Sequence, residues 1–179
     1  MSAGTDMAPD AEDITPDIET ASALSKRLSL VSISSPSVSA KLLGSTEDAV
    51  VLDYTLSRVR VHWGIEGDGL RVALPFALLI HAQNEPERAI AEIAVTILLH
   101  YGTEGESRVD DLRHFAAICG YMHPWPYFRA DAQWLTAKLG LPALTLPLIV
   151  SGHVPDRVLL STRAIDLGAA RRGELDIKK

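Results

Sequence analysis

The chain has 179 residues, a net charge of −6 and a pI of about 5.5, which suits one domain with tails. An acidic chain lacks the basic stripe that phosphate binding requires, so the composition argues against a nucleic-acid partner. The single cysteine, Cys119, excludes an internal disulfide and fits a reducing compartment.

The first twenty residues predict a disordered acidic tail. They hold six Asp or Glu, and they lack the basic start and apolar core of a signal peptide. No stretch of the chain reaches the ~20 apolar residues that cross a bilayer. The sequence therefore predicts a cytoplasmic protein without membrane insertion. We divide it into a tail over 1–20, a domain over 21–150 and a C-terminal helix or tail over 151–179.

Residues 26–102 show the alternation of apolar side chains that indicates β-strands. The first run, from Leu28, is rich in serine, changes phase once and contains Pro36, which favours an edge strand with a bulge. Further runs cover 50–56, 59–63, 70–80 and 93–101, with short turns between them. Pro75 predicts an edge position or a bulge in its own run. The glycine-rich segment 64–69 lacks the Lys and Ser/Thr of a phosphate loop, so a turn is favoured there.

Residues 110–148 predict two helices and an extended exit. Asp110 or Asp111 suits the start of the first helix, and Gly120 suits its end. Pro126 suits the first residue of the second helix, and Gly140 its termination. The second helix has one apolar stripe, formed by Phe128, Ala132, Leu135 and Leu139. Helices that follow strands predict an α+β fold, with an antiparallel four-stranded meander and two or three helices on one face.

The sequence contains no catalytic motif. There is no Gly-x-Ser-x-Gly elbow and no HExxH pair. His62, His81 and His100 fall on different strand runs, where hydrogen-bonded histidines are favoured over a metal site. Cys119 lies at helical spacing with Phe115, which favours a small buried hydrophobe over a nucleophile. We therefore predict a non-enzyme without catalytic residues, metal or cofactor.

The second helix and the segment after it carry a family resemblance. The SecB family of export chaperones has a Pro-Tyr-x-Arg helix after a strand meander, then a Gly-x-Pro-x-Leu-x-Leu-x-Pro segment. This chain resembles that family over about residues 25–148, with matching residues Pro126, Tyr127, Arg129, Gly140, Pro142, Leu144, Leu146 and Pro147. Asp131 stands where the family's acidic residue usually follows the Arg more closely.

The resemblance implies a molecular chaperone that holds unfolded or preprotein polypeptides without ATP, with a role in protein export. It also implies a homotetramer, a dimer of dimers, with Tyr127, Trp134 and Lys138 near the dimer–dimer contact. The client-binding groove that it implies comprises Leu42, Leu43, Leu52, Tyr54, Val154 and Leu159. Leu42 and Leu43 are expected in a loop between two strand runs, either as a lid over the core or as an exposed contact surface.

The C-terminal segment departs from the family pattern. Val154, Val158, Leu159 and Leu160 predict the start of a helix after Pro155 and Asp156, which Ile165 and Leu167 continue as far as Gly168. Typical export members carry an acidic C-terminal tail that helps to recruit the SecA motor. Here Arg171, Arg172, Lys178 and Lys179 make the end basic, so SecA is a doubtful partner.

Two other functions remain open from the sequence. One is a dedicated interaction subunit that serves one partner, such as a toxin–antitoxin pair. The other is a small acyl-ligand-binding protein of the hotdog type, since apolar strands beside a helix suit an acyl pocket. Hotdog proteins usually place their central helix early, whereas the helices predicted here follow the strands.

Overall fold

The fold is known from a computed structural model, which describes residues 12–45, 52–57, 60–67, 69–82, 85–148 and 158–162. The strands are β1 Glu12–Ile14, β2 Leu28–Leu42, β3 Leu52–Leu56, β4 Arg60–Glu66, β5 Gly69–Ala82, β6 Glu85–Thr103 and β7 Val158–Thr162. The helices are α1 Ile18–Ser25, α2 Val109–Met122 and α3 Trp125–Lys138. None of these helices is long and apolar enough to cross a membrane.

The described strands form one sheet in the order β1-β7-β4-β5-β6-β2, and β3 pairs with the far end of β5. Neighbouring strands are antiparallel except for β4 and β7, which are parallel. The α+β class and the antiparallel sheet followed by helices are confirmed. The sheet has seven described strands and is larger than the predicted four-stranded meander, because β1 and β7 lie outside the predicted strand runs.

Strand β2 lies at an edge of the sheet, as the serine content and Pro36 predicted. Its pairing with β6 shifts register between Leu30 and Ser32, where the sequence alternation changes phase, and again between Ser34 and Ser37, around Pro36. An edge strand tolerates proline, because one side of its backbone needs no partner strand.

Pro75 lies in β5, which is a central strand, so the predicted edge position is wrong. The local surroundings explain how a proline fits there. On the side away from β6, pairing with β4 ends at Ala73 and pairing with β3 begins at Leu78. Pro75 falls in the gap between these two partners, where the ladder is interrupted.

The helices cover one face of the sheet. Phe128 of α3 is fully buried and stacks on Phe76 of β5, with ring centroids 4.2 Å apart and planes at 8°. Trp125 packs on Phe76 edge to face, with the ring centroids 6.1 Å apart. Tyr101 of β6 also packs edge to face on Phe115 of α2, with the ring centroids 5.1 Å apart. These aromatic contacts fix both helices to the central strands and form much of the core.

Helix α2 does not end at Gly120, as the sequence predicted, but continues to Met122. Gly120 is buried and faces β4 and β5. A Cβ atom at this position would lie 2.7 Å from Val72 Cγ1 and 3.0 Å from Val61 Cγ1. The glycine is therefore required for close approach of the helix to the sheet, not for a turn.

We expect Gly120→Ala to lower the free energy of unfolding by about 1–3 kcal/mol, because overpacking outweighs the better helix propensity of alanine. Urea denaturation followed by circular dichroism measures the change. The matched test is the same substitution in a Val72→Ala background, which removes the methyl group closest to the new Cβ. A cost that is equal in both backgrounds would contradict the packing explanation.

Helix α3 ends at the predicted glycine. Gly140 has a φ of +76°, a conformation that residues with a Cβ rarely adopt. Its N–H bonds to the Ala137 carbonyl, and the N–H of Leu141 bonds to the Thr136 carbonyl. This pair of bonds is the Schellman motif, and buried Leu141 adds the apolar contact that accompanies it. The buried part of the predicted α3 stripe, Phe128, Ala132 and Leu135, is confirmed.

The structure corrects both ends of the predicted domain. Residues 12–14 form β1 and α1 begins at Ile18, so the described part of the acidic segment is not the disordered tail that we predicted. Asp17 caps α1 by accepting the N–H groups of Glu19 and Thr20. The predicted C-terminal helix is also wrong for residues 158–162, which form β7.

Candidate functional site

An exposed apolar surface follows the edge strand β2. It consists of Leu30, Val31, Val38, Leu42 and Leu43, and we call it the edge surface. Each of these side chains is more than two-fifths exposed, and Val31 reaches 61%. Single exposed apolar residues are common on proteins, but a series along one sheet edge marks an interaction surface.

The register places part of the predicted groove in one row across the sheet. Leu42 of β2 is opposite Ala91 of β6, Ala91 is opposite Ile80 of β5, and Ile80 is opposite Tyr54 of β3. Residues in one row share a face, so Leu42 and Tyr54 face the same way across three strand spacings, or roughly 14 Å. Ala91 and Ile80, which lie between these two residues in the row, are fully buried, so only the ends of the row, at Leu42 and Tyr54, reach the surface.

This row lies on the helix-bearing face. Phe76, which stacks under α3, is four residues from Ile80 on the same strand, and strand side chains alternate between faces with a period of two. Leu52 and Tyr54 pack partly buried against the core. The structure therefore brings Leu42, Leu52 and Tyr54 to one face, as the groove prediction requires.

The prediction that Leu42 and Leu43 stand in a loop is wrong. Leu42 is the last residue of β2, and the Leu43 N–H continues the ladder by donating to the Ile90 carbonyl at 2.8 Å. Both side chains are 47% exposed. Their position on a paired strand excludes a hinged lid and leaves the exposed contact surface as the interpretation.

The other two predicted groove residues belong to the C-terminal segment. Val154 lies outside the described residues. Leu159 is in β7, opposite Arg60 of β4 and Asp13 of β1. Strand β7 lies on the other side of β4 and β5 from β2, so Leu159 and Leu42 belong to strands on opposite sides of the sheet.

A second exposed surface lies on α3. Tyr127 and Trp134, seven residues apart on one helical stripe, are 46% and 58% exposed. The Lys138 ammonium lies 5.2 Å from the centre of the Trp134 ring, in cation–π contact. On the same helix, Asp131 accepts a hydrogen bond from Ser35 of β2 at 3.4 Å. This contact places the α3 surface beside the middle of the edge surface.

Two residues of α3 hold the extended segment 141–148, which we call the exit segment, against the helix. Trp125 Nε1 donates to the Pro147 carbonyl at 2.9 Å, and Arg129 Nε donates to the Leu146 carbonyl at 2.5 Å. Leu144 and Leu146 are buried in the core. The two side-chain donors satisfy backbone carbonyl groups of a segment that pairs with no strand among the described residues.

Two potentially reactive groups near α2 have pKa values raised by burial. The Tyr101 hydroxyl is within 2.8 Å of His123 Nδ1, and burial raises the pKa of Tyr101. Burial also raises the pKa of the Cys119 thiol to about 12, so the neutral thiol persists at neutral pH. The predicted packing role of Cys119 fits this environment better than a nucleophilic role does.

The strand histidines do not come together. His62 is opposite Ala73, His81 is opposite Asp53 and Ala89, and His100 is opposite Arg71 and Ser32. Within the described ranges, no group of three or more His, Cys, Asp or Glu is placed to hold a metal ion.

A cavity of about 410 Å³ opens near the β4–β5 turn. It is lined by Ile65, Gly67, Gly69, Thr103, Gly105, Glu106, Ser107 and Leu112. Only two large apolar side chains, Ile65 and Leu112, contribute to this lining. An acyl chain needs a longer apolar wall, so this cavity does not favour the hotdog-type alternative.

The sequence did not lead us to predict that Leu30, Val31 and Val38 are exposed and belong to the edge surface. Leu30 and Val31 are adjacent apolar residues at the change of phase, which a bulge exposes together. That adjacency was the available signal, since an alternating strand with one buried face has no reason to place two apolar residues side by side.

Comparison with known proteins places this fold. No protein-family model matches the sequence, and no curated protein matches it. Ten chains of solved structures match it, among them the Mycobacterium tuberculosis Rv1957 SecB-like chaperone in complex with a ChAD peptide from Rv1956 HigA1 antitoxin. The TM-score is 0.65 at 21% sequence identity, over 74% of this chain and 97% of the neighbour. The chain therefore has a SecB-like fold, and the resemblance seen in its sequence is confirmed at that level.

Proposed function

We propose that this protein is an ATP-independent cytoplasmic chaperone that holds extended, non-native polypeptides, among them proteins destined for export. The observation that carries the proposal is the edge surface, a series of half-exposed apolar side chains along a 15-residue edge strand. Burial of apolar area is non-directional and tolerates varied client sequence, which suits unfolded chains. The SecB-like fold supports the same function.

The direct test is suppression of aggregation. Purified protein is mixed with a chemically denatured enzyme on dilution, and light scattering is followed without nucleotide. We expect scattering to fall as the chaperone-to-client ratio rises and to be unaffected by added ATP. Equal scattering with this protein and with an inert protein of the same size would contradict the proposal.

We infer that the α3 surface of Tyr127, Trp134 and Lys138 contributes to a homotetramer built as a dimer of dimers. Exposed aromatic residues are costly to leave in water and are enriched at interfaces. Trp134→Ala should reduce the mass measured by multi-angle light scattering at micromolar concentration, while Thr145→Ala, exposed on the exit segment, should leave it unchanged. A wild-type mass of one chain, 19.4 kDa, would exclude the tetramer.

We expect SecA to bind weakly or not at all. Members of the SecB family dock on SecA partly through acidic residues on the solvent face of the sheet, and Asp53 and Glu92 are the candidates for that role here. The Glu92 carboxylate lies 3.0 Å from the Lys41 ammonium, and the Asp53 carboxylate accepts a hydrogen bond from the N–H of Tyr54. Paired carboxylates steer a cationic partner less effectively than free ones. Titration calorimetry at physiological salt measures the affinity, and a submicromolar dissociation constant would overturn this expectation.

A narrower function is supported by the comparison. The M. tuberculosis neighbour was solved with a peptide from an antitoxin, so a dedicated partner of a toxin–antitoxin pair is our second candidate for this chain. The two candidates differ in selectivity. A general holdase protects several unrelated denatured clients, whereas a dedicated subunit protects one partner and leaves the others to aggregate.

A further inference from the structure

Strand β7 completes the sheet on the side opposite the edge surface. It runs parallel to β4, with register pairs from Arg60–Leu159 to Trp63–Thr162. Its other side is covered by the three residues of β1. The helices α2 and α3 precede β7 in the chain, so this strand is added from the C-terminal segment to a sheet edge that β4 would otherwise leave free.

Two side chains anchor β7. Val158 and Leu160 are buried in the main core, and Leu160 is opposite buried Val61. Val158 is opposite Ile14 of β1, which is also buried. The strand is thus held by backbone pairing and by alternate side chains in apolar sites. An extended peptide added to a sheet edge is recognised in the same way.

One buried donor beside β7 has no hydrogen-bond acceptor within the part of the chain that the structure describes. Trp63, at the last register pair with β7, is 2% exposed, and its Nε1 donor has no acceptor among the described residues. A buried donor without a partner destabilises the arrangement that contains it. Parallel pairing is also slightly weaker per residue than antiparallel pairing.

We propose that the β4 edge is a second polypeptide-binding site, which β7 fills in cis and which an extended client segment with apolar residues at alternate positions takes over. The proposal rests on the proposed holdase function for the identity of the client. Because β7 is tethered to the same chain, it competes with the client for the β4 edge at an effective concentration on the order of millimolar. The apparent affinity for the client is therefore reduced to the fraction of molecules in which β7 has left the edge.

A disulfide that locks β7 tests this competition. Arg60→Cys and Leu159→Cys are register partners, and Cys119 is retained because its buried thiol stays neutral. The ligand is reduced and carboxymethylated lactalbumin, a permanently unfolded chain. We expect the oxidised lock to bind it about tenfold more weakly than the same protein after reduction. Arg60→Cys alone, oxidised identically, should show no such difference.

Release of β7 tests the converse. Leu160→Asp removes one apolar anchor and should increase the affinity for the same client about tenfold, because more sites are open. Circular dichroism and light scattering establish that this variant is folded. Equal client affinity in the oxidised and reduced lock would overturn the proposal and make β7 a permanent structural strand.

The outcome also separates this inference from the proposed function. If the wild type fails to suppress aggregation and binds no unfolded client, the holdase function is wrong. The β4 edge is then judged with a labelled peptide that copies residues 156–163. Binding of this peptide to Leu160→Asp, but not to the oxidised lock, would support a strand-accepting edge, and no binding to either would overturn it.

Discussion

Replacing Phe128 with alanine should lower the free energy of unfolding by about 3–5 kcal/mol, the range for loss of a buried aromatic side chain. Phe128 is fully buried and stacks on Phe76 at 4.2 Å, and Trp125 lies 5.8 Å from it. All three rings lie where α3 meets the central strand β5. Truncation removes the aromatic stacking and leaves a cavity that the rigid sheet cannot close.

Urea denaturation monitored by circular dichroism measures this loss. The control is Gln133→Ala, an exposed position on the same helix, which should change stability by no more than about 0.5 kcal/mol. If Phe128→Ala costs as little as the control, α3 is not fixed to the sheet as described. In a Phe128→Ala variant that remains folded, Tyr127 and Trp134 should no longer form the α3 surface, because their positions depend on the packing of the same helix.

The parts of the fold that the sequence predicted are those set by local chemistry. Gly140 ends α3 because the positive φ at that position favours glycine. The bulges and edge position of β2 were visible in the change of phase and in Pro36. The Phe128, Ala132 and Leu135 stripe followed from helical periodicity alone.

The errors have a common physical cause, which is that long-range packing decided the outcome. Gly120 is a residue type that favours helix ends, yet α2 continues past it to Met122, and glycine is needed there because Val61 and Val72 leave no room for a side chain. Pro75 is a residue type that favours edge strands, yet it lies in the central strand β5, at the gap between its partner strands β4 and β3. Neither circumstance is encoded within a few residues of the position concerned.

The same reasoning applies to β7. The sequence Val158-Leu159-Leu160 is a short apolar run, and periodicity does not separate a strand from a helix at that length. Its conformation is decided by the β4 edge that it joins. The candidate site was likewise predictable only in part, since Leu42 and Tyr54 are brought into one row by pairing through β6 and β5.

The double substitution Leu42→Ser and Leu43→Ser should weaken client binding about tenfold, because two apolar contacts on the edge surface are lost. Each leucine is 47% exposed in the free protein, so the folded chain relies on only part of its apolar area. We expect the free energy of unfolding to fall by no more than about 2 kcal/mol, less than for Phe128→Ala. Fluorescence anisotropy with an unfolded labelled client measures the binding.

A matched pair of exposed apolar residues distinguishes a specific surface from general stickiness. Ile18→Ser with Val109→Ser removes two side chains that are at least as exposed but belong to the starts of α1 and α2, not to β2. If clients bind through the edge surface, this pair leaves affinity unchanged while the leucine pair reduces it. Equal losses from the two pairs would show that any exposed apolar area suffices, and a large fall in stability for the leucine pair would place both residues in the core. Only a selective loss of binding without loss of fold supports the edge surface as the place where clients are held.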